Sequence, residues 1–247
     1  HVKTLQVRKK YDAEYYLCDS CGFLFIKSPF WLNEAYNEPI NITDTGYVLR
    51  NVYLSRKTLL LFSFLFGVKK TFLDFAGGYG IFSRLMRDYG FNFLLFDTFT
   101  QNIFMKGFEY NHEKIHALTC FECFEHFSNP GSEIDALFAI SPNIFFSTVL
   151  FSGESAPPDD WEYYGLHHGQ HIAFYSLKTL KYIAKKQGVY LCSNGSNLHL
   201  YTKKMVHQFF FKIILSLTVL QADALLKKFL KSKTITDCYL LIQQGKI

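Results

Sequence analysis

No stretch of this chain stays apolar for the ~18 residues that a membrane-spanning helix needs. The nearest candidate, Phe209–Leu220, is interrupted by Lys212. The opening residues, from His1 to Asp12, are polar, so no secretory leader is expected. Cysteine is sparse: six in 247 residues do not make a disulfide scaffold, which points to a reducing, cytoplasmic compartment. The formal charge of +5 is scattered, and the first 200 residues carry no basic stripe, which argues against a nucleic-acid partner. Repeats and low-complexity tracts are absent as well. What is abundant is apolar and aromatic surface. With 49% hydrophobic residues, 27 Phe and 16 Tyr, the chain can bury a large aromatic core. Its length suits one large α/β domain, or one domain with a small lobe.

The most informative stretch is Thr71–Gly80, TFLDFAGGYG. It reads as a buried strand, a tight turn of small residues and the start of a helix. Such a turn brings a ligand against bare backbone at a helix N-terminus. The next apolar run, Phe91–Phe96, ends in Asp97, placed about 20 residues on to bind ribose hydroxyls. A nucleoside-containing cofactor follows. Two enzyme classes use this layout, nicotinamide dehydrogenases and S-adenosylmethionine methyltransferases. Asp74, inside the first strand, separates them. A carboxylate repels a pyrophosphate but suits an α-ammonium and a sulfonium. The missing full G-x-G-x-x-G spacing agrees.

Around this turn the pattern predicts strands at 72–75, 92–96, 108–110, 116–121, 143–150, 189–201 and Thr234–Gln243. Helices are expected at 80–89, 100–106, 130–139 and 176–187. The alternation argues for a parallel sheet with helices on both faces. Before it, residues 15–26 read as a hairpin turning at Cys18–Gly22, a zinc-knuckle half-site whose other half is not evident. Turn signals at Asn37-Glu38-Pro39 and Asp44-Thr45-Gly46 and a helical pattern at Val52–Phe66 complete a cap. The expected division is therefore 1–70, a hairpin and helical cap, and 71–247, a cofactor-binding domain with a helical insertion at 205–232. That insertion reads as a core or dimer-packing segment, and its basic end admits membrane-surface association as a second reading.

The Asp74–Gly80 segment resembles the class I methyltransferase signature, an acid followed by G-x-G-x-G, with Ala76 at the first glycine position. The resemblance implies a Rossmann-like fold with a seven-stranded, mostly parallel sheet. It also implies that Asp74, Ala76, Gly78 and Gly80 hold the methionine end and Asp97 the ribose. Residues 116–130 resemble the fourth-strand motif of that superfamily, with the pair Glu125-His126 and Pro130 opening a helix. Phe121 and Glu122 then fall where side chains border the cofactor. Trp161–Ser176 resembles the acceptor-side segment of bacterial methyltransferases acting on nucleotide-linked sugars, which also often begin with a Cys-x-x-Cys-Gly knuckle. Those relatives often carry Glu-His where this chain has His167-His168. The missing acid tilts the expectation from C-methylation of a keto-sugar toward O-methylation.

A sugar hydroxyl is a weak acid, so a base aids its methylation, and an unperturbed histidine (pKa ~6.5) suits the task. His168 is the expected base, with His171, His126 and Tyr164 as further catalytic candidates. A divalent metal held by His126, His167, His168 and His171 is the alternative. Trp161, Tyr163 and Tyr164 are candidates for stacking on a sugar or base. The implied reading is a cytoplasmic O-methyltransferase of a nucleotide sugar, serving capsule or surface polysaccharide, with a homodimer open. Methylation of another small polar metabolite and a non-catalytic binding module on the same fold are the competing readings.

Overall fold

The computed structural model describes residues 1–36 and 43–245. In chain order the strands and helices are β1 (Lys3–Val7), β2 (Tyr11–Leu17), β3 (Leu24–Ile26), α1 (Leu32–Ala35), α2 (Tyr47–Leu65), β4 (Thr71–Phe75), α3 (Ile81–Asp88), β5 (Asn92–Phe96) and β6 (Ala117–Cys120). Then follow α4 (Pro130–Ile140), β7 (Ile144–Ser147), β8 (Leu150–Phe151), β9 (Ala173–Ser176), α5 (Leu177–Gln187), β10 (Tyr190–Ser193), β11 (Leu198–Thr202), α6 (Gln208–Ser216), α7 (Ala222–Lys227) and α8 (Thr234–Gln243). The chain divides into two compact units, each built from two segments. One comprises His1–Thr43 with Phe121–Met205, the other Asp44–Cys120 with Val206–Ile247. This division differs from a single boundary at residue 70. The turn expected at Asn37-Glu38-Pro39 lies outside the described residues.

In the second unit, β4 pairs in parallel with β5 on one side and β6 on the other. The chain lays down the middle strand first, adds β5, then returns to the far side of β4. That reversal makes a topological switch point, and ligands of such sheets bind beyond the carboxyl ends of the strands there. Burial on both faces explains the runs Phe72-Leu73 and Phe93-Leu94-Leu95, which are apolar without alternation. Helix α2 packs on α3, α6 and α7. Arg56 clamps Asp223 through two bonds of 2.6 and 3.0 Å, and the buried Lys57 ammonium donates to the Leu215 carbonyl and the Thr218 hydroxyl.

The first unit holds the antiparallel meander β1–β2–β3, extended by β9 and then β8. Its core gathers Val7, Tyr15, Leu24, Trp31, Tyr164 and Phe174. The Cys18–Gly22 turn forms as expected, with the Gly22 amide donating to the Cys18 carbonyl at 2.7 Å. A separate antiparallel set, β7–β11–β10, belongs to the same unit. Pro130 opens α4, and Ser176 caps α5 in a reciprocal box with Thr179.

Several expectations fail for local reasons. The strand foreseen at 189–201 is the hairpin β10–β11, because the Asn194 side chain accepts the amides of Ser196, Asn197 and Leu198 at 2.8–3.0 Å. The strand at 143–150 is the pair β7 and β8. No helix forms at 100–106: Asp97 takes the Phe99 and Thr100 amides, and Asn102 takes that of Met105. The strand at 108–110 reduces to one parallel bridge between Leu95 and Glu109. The segment 205–232 is helical as expected, in two short helices, α6 and α7. Residues Thr234–Gln243, expected as the last strand, form α8. The seven-stranded sheet implied by the resemblance is not matched strand for strand: among the described residues the second unit holds the parallel set β5–β4–β6, and β10 and β11 of the first unit pair antiparallel.

Helix α8 is fixed by charge. Thr234 and Asp237, three residues apart, face the same way. Thr234 donates to Asp88, and Asp237 accepts from Arg87 at 2.7 Å on both oxygens and from Arg84 at 2.8 Å. Arg87 is 3% exposed and Asp237 5%. Burial pushes the Asp237 pKa up, but the two guanidiniums outweigh it and hold the carboxyl below its usual range. Asp237→Ala leaves Arg87 charged and buried, and is expected to cost about 3–5 kcal/mol in denaturant unfolding. The pair's contribution is complete above the ordinary carboxylate pKa and is lost as pH falls through the depressed value.

Candidate active site

The turn after β4 is built around two carboxylates. Asp74 is 2% exposed, and its oxygens accept from the Thr119 hydroxyl at 2.8 Å and the Ser83 hydroxyl at 2.9 Å. Burial raises its pKa to about 7 against those two bonds, with the nearby Asp97 charge adding to the rise. Asp97, at the tip of β5, is partly exposed. One oxygen accepts the Gly78 amide at 2.9 Å, the other the amides of Phe99 and Thr100 at 2.8 and 2.7 Å. A carboxylate offers about four acceptor positions, so the oxygen facing Gly78 retains room for a hydroxyl donor.

The backbone between them is left-handed at Ala76, Gly78 and Gly80, with φ of +56°, +59° and +88°. Ala76 pays the alanine penalty there, and its amide is held by the Phe96 carbonyl at 2.8 Å. At Gly80 a Cβ would lie 2.8 Å from the Met105 side chain, and at Gly78 2.5 Å from the Tyr47 hydroxyl. Tyr47, from α2, lies over this turn and takes a hydrogen bond from the Tyr79 backbone. The turn is therefore a backbone cradle closed by one phenol. Asp74, Ala76, Gly78, Gly80 and Asp97 come together here. Asp74, however, lies beneath the turn rather than open to it. Tyr47, Ser83 and Thr119 have no signal in the sequence motif and emerge only from the fold.

The first unit holds a histidine cluster. His126 ends a 3-10 turn, Phe124–His126, and its Nδ1 lies 3.0 Å from the Gln170 carbonyl and 2.9 Å from the Tyr36 hydroxyl. His171 Nδ1 lies 2.6 Å from the Tyr163 carbonyl. A carbonyl only accepts, so both Nδ1 atoms carry the proton and both Nε2 atoms carry the lone pair. His168 is the reverse: its Nδ1 accepts the Gln170 amide at 3.0 Å, which spends its lone pair. Ring centroids are 5.0 Å apart for His126 and His171 and 4.8 Å for His168 and His171. Burial lowers all three pKa values, to about 4 for His126 and about 3 for His168 and His171, so the rings are neutral at neutral pH. His167 is exposed and pairs with the Thr43 hydroxyl at 3.3 Å, apart from the His126–His171 pair.

One donor atom each from Glu125, His126 and His171 falls within 4.8 Å of the others, a set that could hold a metal ion. This differs from the four-histidine set. Glu125, given no role from sequence, replaces His167 and His168. Glu122 binds Ser147 through its amide and carboxylate at 2.7 and 2.6 Å, and Phe121 packs edge-on to Phe145. Tyr164 is a core residue. It is 1% exposed and its hydroxyl donates to the Pro157 carbonyl at 3.0 Å, which removes it as a catalytic candidate. Trp161 packs on Phe174 and Tyr164, while Tyr163 alone of the three aromatics reaches the cluster, 4.8 Å from the His171 ring. Cys120 and Cys123 are buried as small apolar fillers, whereas Cys18 and Cys21 are half-buried.

The strand order, the glycine cradle at the switch point and the acid at the tip of β5 define a Rossmann-like nucleoside-binding fold. The chain belongs to the methyltransferase domain family, whose model matches residues 49–194. No curated protein matches it. Among solved structures, an O-methyltransferase family protein from Burkholderia thailandensis is 12% identical with a TM-score of 0.48, over 73% of this chain and 64% of its own. An O-methyltransferase family 2 protein from Planctomyces limnophilus, in complex with apigenin, is 13% identical with a TM-score of 0.43, over 69% and 66%. The plantazolicin methyltransferase BpumL, in complex with SAH, is 14% identical with a TM-score of 0.45, over 79% and 88%. The chain thus spans about two thirds of the length of the first two. Among the described residues no helix is long and apolar enough to cross a membrane.

Proposed function

We propose that this chain is an S-adenosylmethionine-dependent O-methyltransferase acting on a hydroxyl of a nucleotide-activated sugar, in the supply of capsule or surface polysaccharide. The observation that carries the cofactor is the cradle itself, with Asp74 beneath a backbone turn and Asp97 at its rim. This donor set fits the methyl donor: Asp97 would take ribose hydroxyls, and the turn with Asp74 would face the cationic methionine end. When bound, S-adenosylmethionine supplies an electrophilic methyl group on a positively charged sulfur. The sugar part of the reading rests on the likeness of Trp161–Ser176 to acceptor segments of such enzymes. A cytoplasmic location and a homodimer belong to the same proposal.

His171 takes the role first given to His168. Its Nε2 lone pair is free because its Nδ1–H is fixed by a backbone carbonyl, and His126 offers a second such nitrogen. Methylation turns a hydroxyl oxygen into a positively charged centre whose proton is strongly acidic. A neutral imidazole of low pKa still accepts that proton, so the cluster needs no stronger base. The second reading is metal assistance by Glu125, His126 and His171, favoured by their proximity. It predicts loss of turnover on chelation, which the base reading does not.

The test is calorimetric titration of S-adenosylmethionine and a panel of nucleotide sugars, followed by mass analysis for a methylated product. Absence of methyl-donor binding overturns the proposal. Methylated carbon in place of oxygen shifts it to the C-methylation alternative. A pH series gives a sharper signature. A cation near Asp74 favours its ionised form and lowers its pKa in the complex. Donor affinity is therefore expected to rise with pH up to about 7 and level off above it, with proton release below that point. Asp74→Asn is expected to flatten this profile.

A further inference from the structure

The segment after β11 leaves much apolar surface in water. Phe209 is 67% exposed, Phe210 47%, Val219 80%, Leu220 76%, Leu225 60% and Phe229 80%. The opposite side of α6 is conventional, with Phe211, Ile214 and Leu215 buried. Lys212, Lys227, Lys228 and Lys231 are exposed among these residues. The only acids between Val206 and Gly245, Asp223 and Asp237, are buried and tied to arginines. The surface of this segment is thus apolar and cationic, with no negative charge of its own.

We propose that the exposed apolar and cationic surface of this segment, α6, α7 and the residues flanking them, is a docking surface for an anionic lipid bilayer. The chemistry fits that occupant on both counts. Aromatic and aliphatic side chains partition into the headgroup boundary, and lysines beside them meet phosphate and carboxylate groups. A second copy of the chain fits poorly. In a two-fold interface the patch meets itself, which sets lysine against lysine with no exposed acid in the segment to relieve it. The proposal is independent of the methyl-transfer reading, since no residue of the glycine cradle or the histidine cluster takes part.

The test is co-sedimentation of the full chain with vesicles of phosphatidylcholine alone and of phosphatidylcholine mixed with phosphatidylserine. Binding to the mixed vesicles is expected to be at least about tenfold tighter and to weaken with salt. The joint variant Lys227→Gln, Lys228→Gln, Lys231→Gln should lose that preference. Phe209→Ser with Phe229→Ser should weaken binding to mixed vesicles at least about tenfold. All five positions are exposed, and unchanged circular dichroism with unchanged S-adenosylmethionine binding shows that the fold survives. Three outcomes overturn the proposal: no sedimentation with mixed vesicles, binding insensitive to both variants, or a concentration-dependent dimer that Phe209→Ser abolishes.

Discussion

Asp97→Ala is expected to weaken S-adenosylmethionine binding by about 100-fold in calorimetric titration, with little change in the unfolding midpoint. Two losses add. The first is the charge-assisted acceptor for the ribose, and hydrogen bonds to charged groups contribute about 1.5–3 kcal/mol each. The second is preorganisation. Asp97 ties the Gly78 amide on one side and the Phe99 and Thr100 amides on the other, so it sets the shape of the cradle as well as its chemistry. Without it, part of the binding energy is spent on ordering the turn. Asp97→Asn separates the two effects. The amide keeps one acceptor oxygen for the backbone but loses the charge, so an intermediate loss of about tenfold is expected. Equal affinity for all three proteins would remove Asp97 from the site.

His171→Ala is expected to lower kcat by about 10²–10⁴-fold while the dissociation constant of the methyl donor stays the same. His171 is no member of the cradle, so donor binding should not register its loss. His168→Ala is expected to act indirectly, through the Gln170 amide that its Nδ1 accepts. The two variants are told apart by added imidazole, which should restore turnover in the cavity left by His171 and not in His168→Ala. Undiminished turnover in His171→Ala would end its role as base.

The cradle was legible in sequence because its chemistry is local. Asp74, Ala76, Gly78, Gly80 and Asp97 sit on one strand–turn–helix–strand unit, and their spacing along the chain is their spacing in the fold. The histidine cluster was legible as a group but not in its roles. Which ring holds a usable lone pair depends on the carbonyls of Tyr163 and Gln170, and no residue type announces a carbonyl. Tyr163 and Tyr164 are indistinguishable in sequence for a similar reason: both rings pack on Phe174, but Tyr163 also lies 4.8 Å from the His171 ring, while the Tyr164 hydroxyl is tied to the Pro157 carbonyl. In the fold, the missed hairpin at Asn194-Gly195 carried its own turn chemistry, overlooked inside an apolar run. Helix α8 is the opposite case. Its β-branched start, Thr234-Ile235-Thr236, favours a strand, and the arginines that hold Asp237 lie on α3, far away in sequence.

The meander of the first unit has a consequence for how the chain is made. Strand β3 leaves one edge open until β9 arrives, and β9 comes roughly 150 residues later, about 8–30 s of synthesis at ordinary rates. Throughout that interval the nascent protein shows an unpaired strand edge and the aromatic face of Tyr15, which finds its partners Tyr164 and Phe174 only then. During production, this early hairpin is the place where neighbouring chains would pair with one another, and slower translation lengthens that exposure.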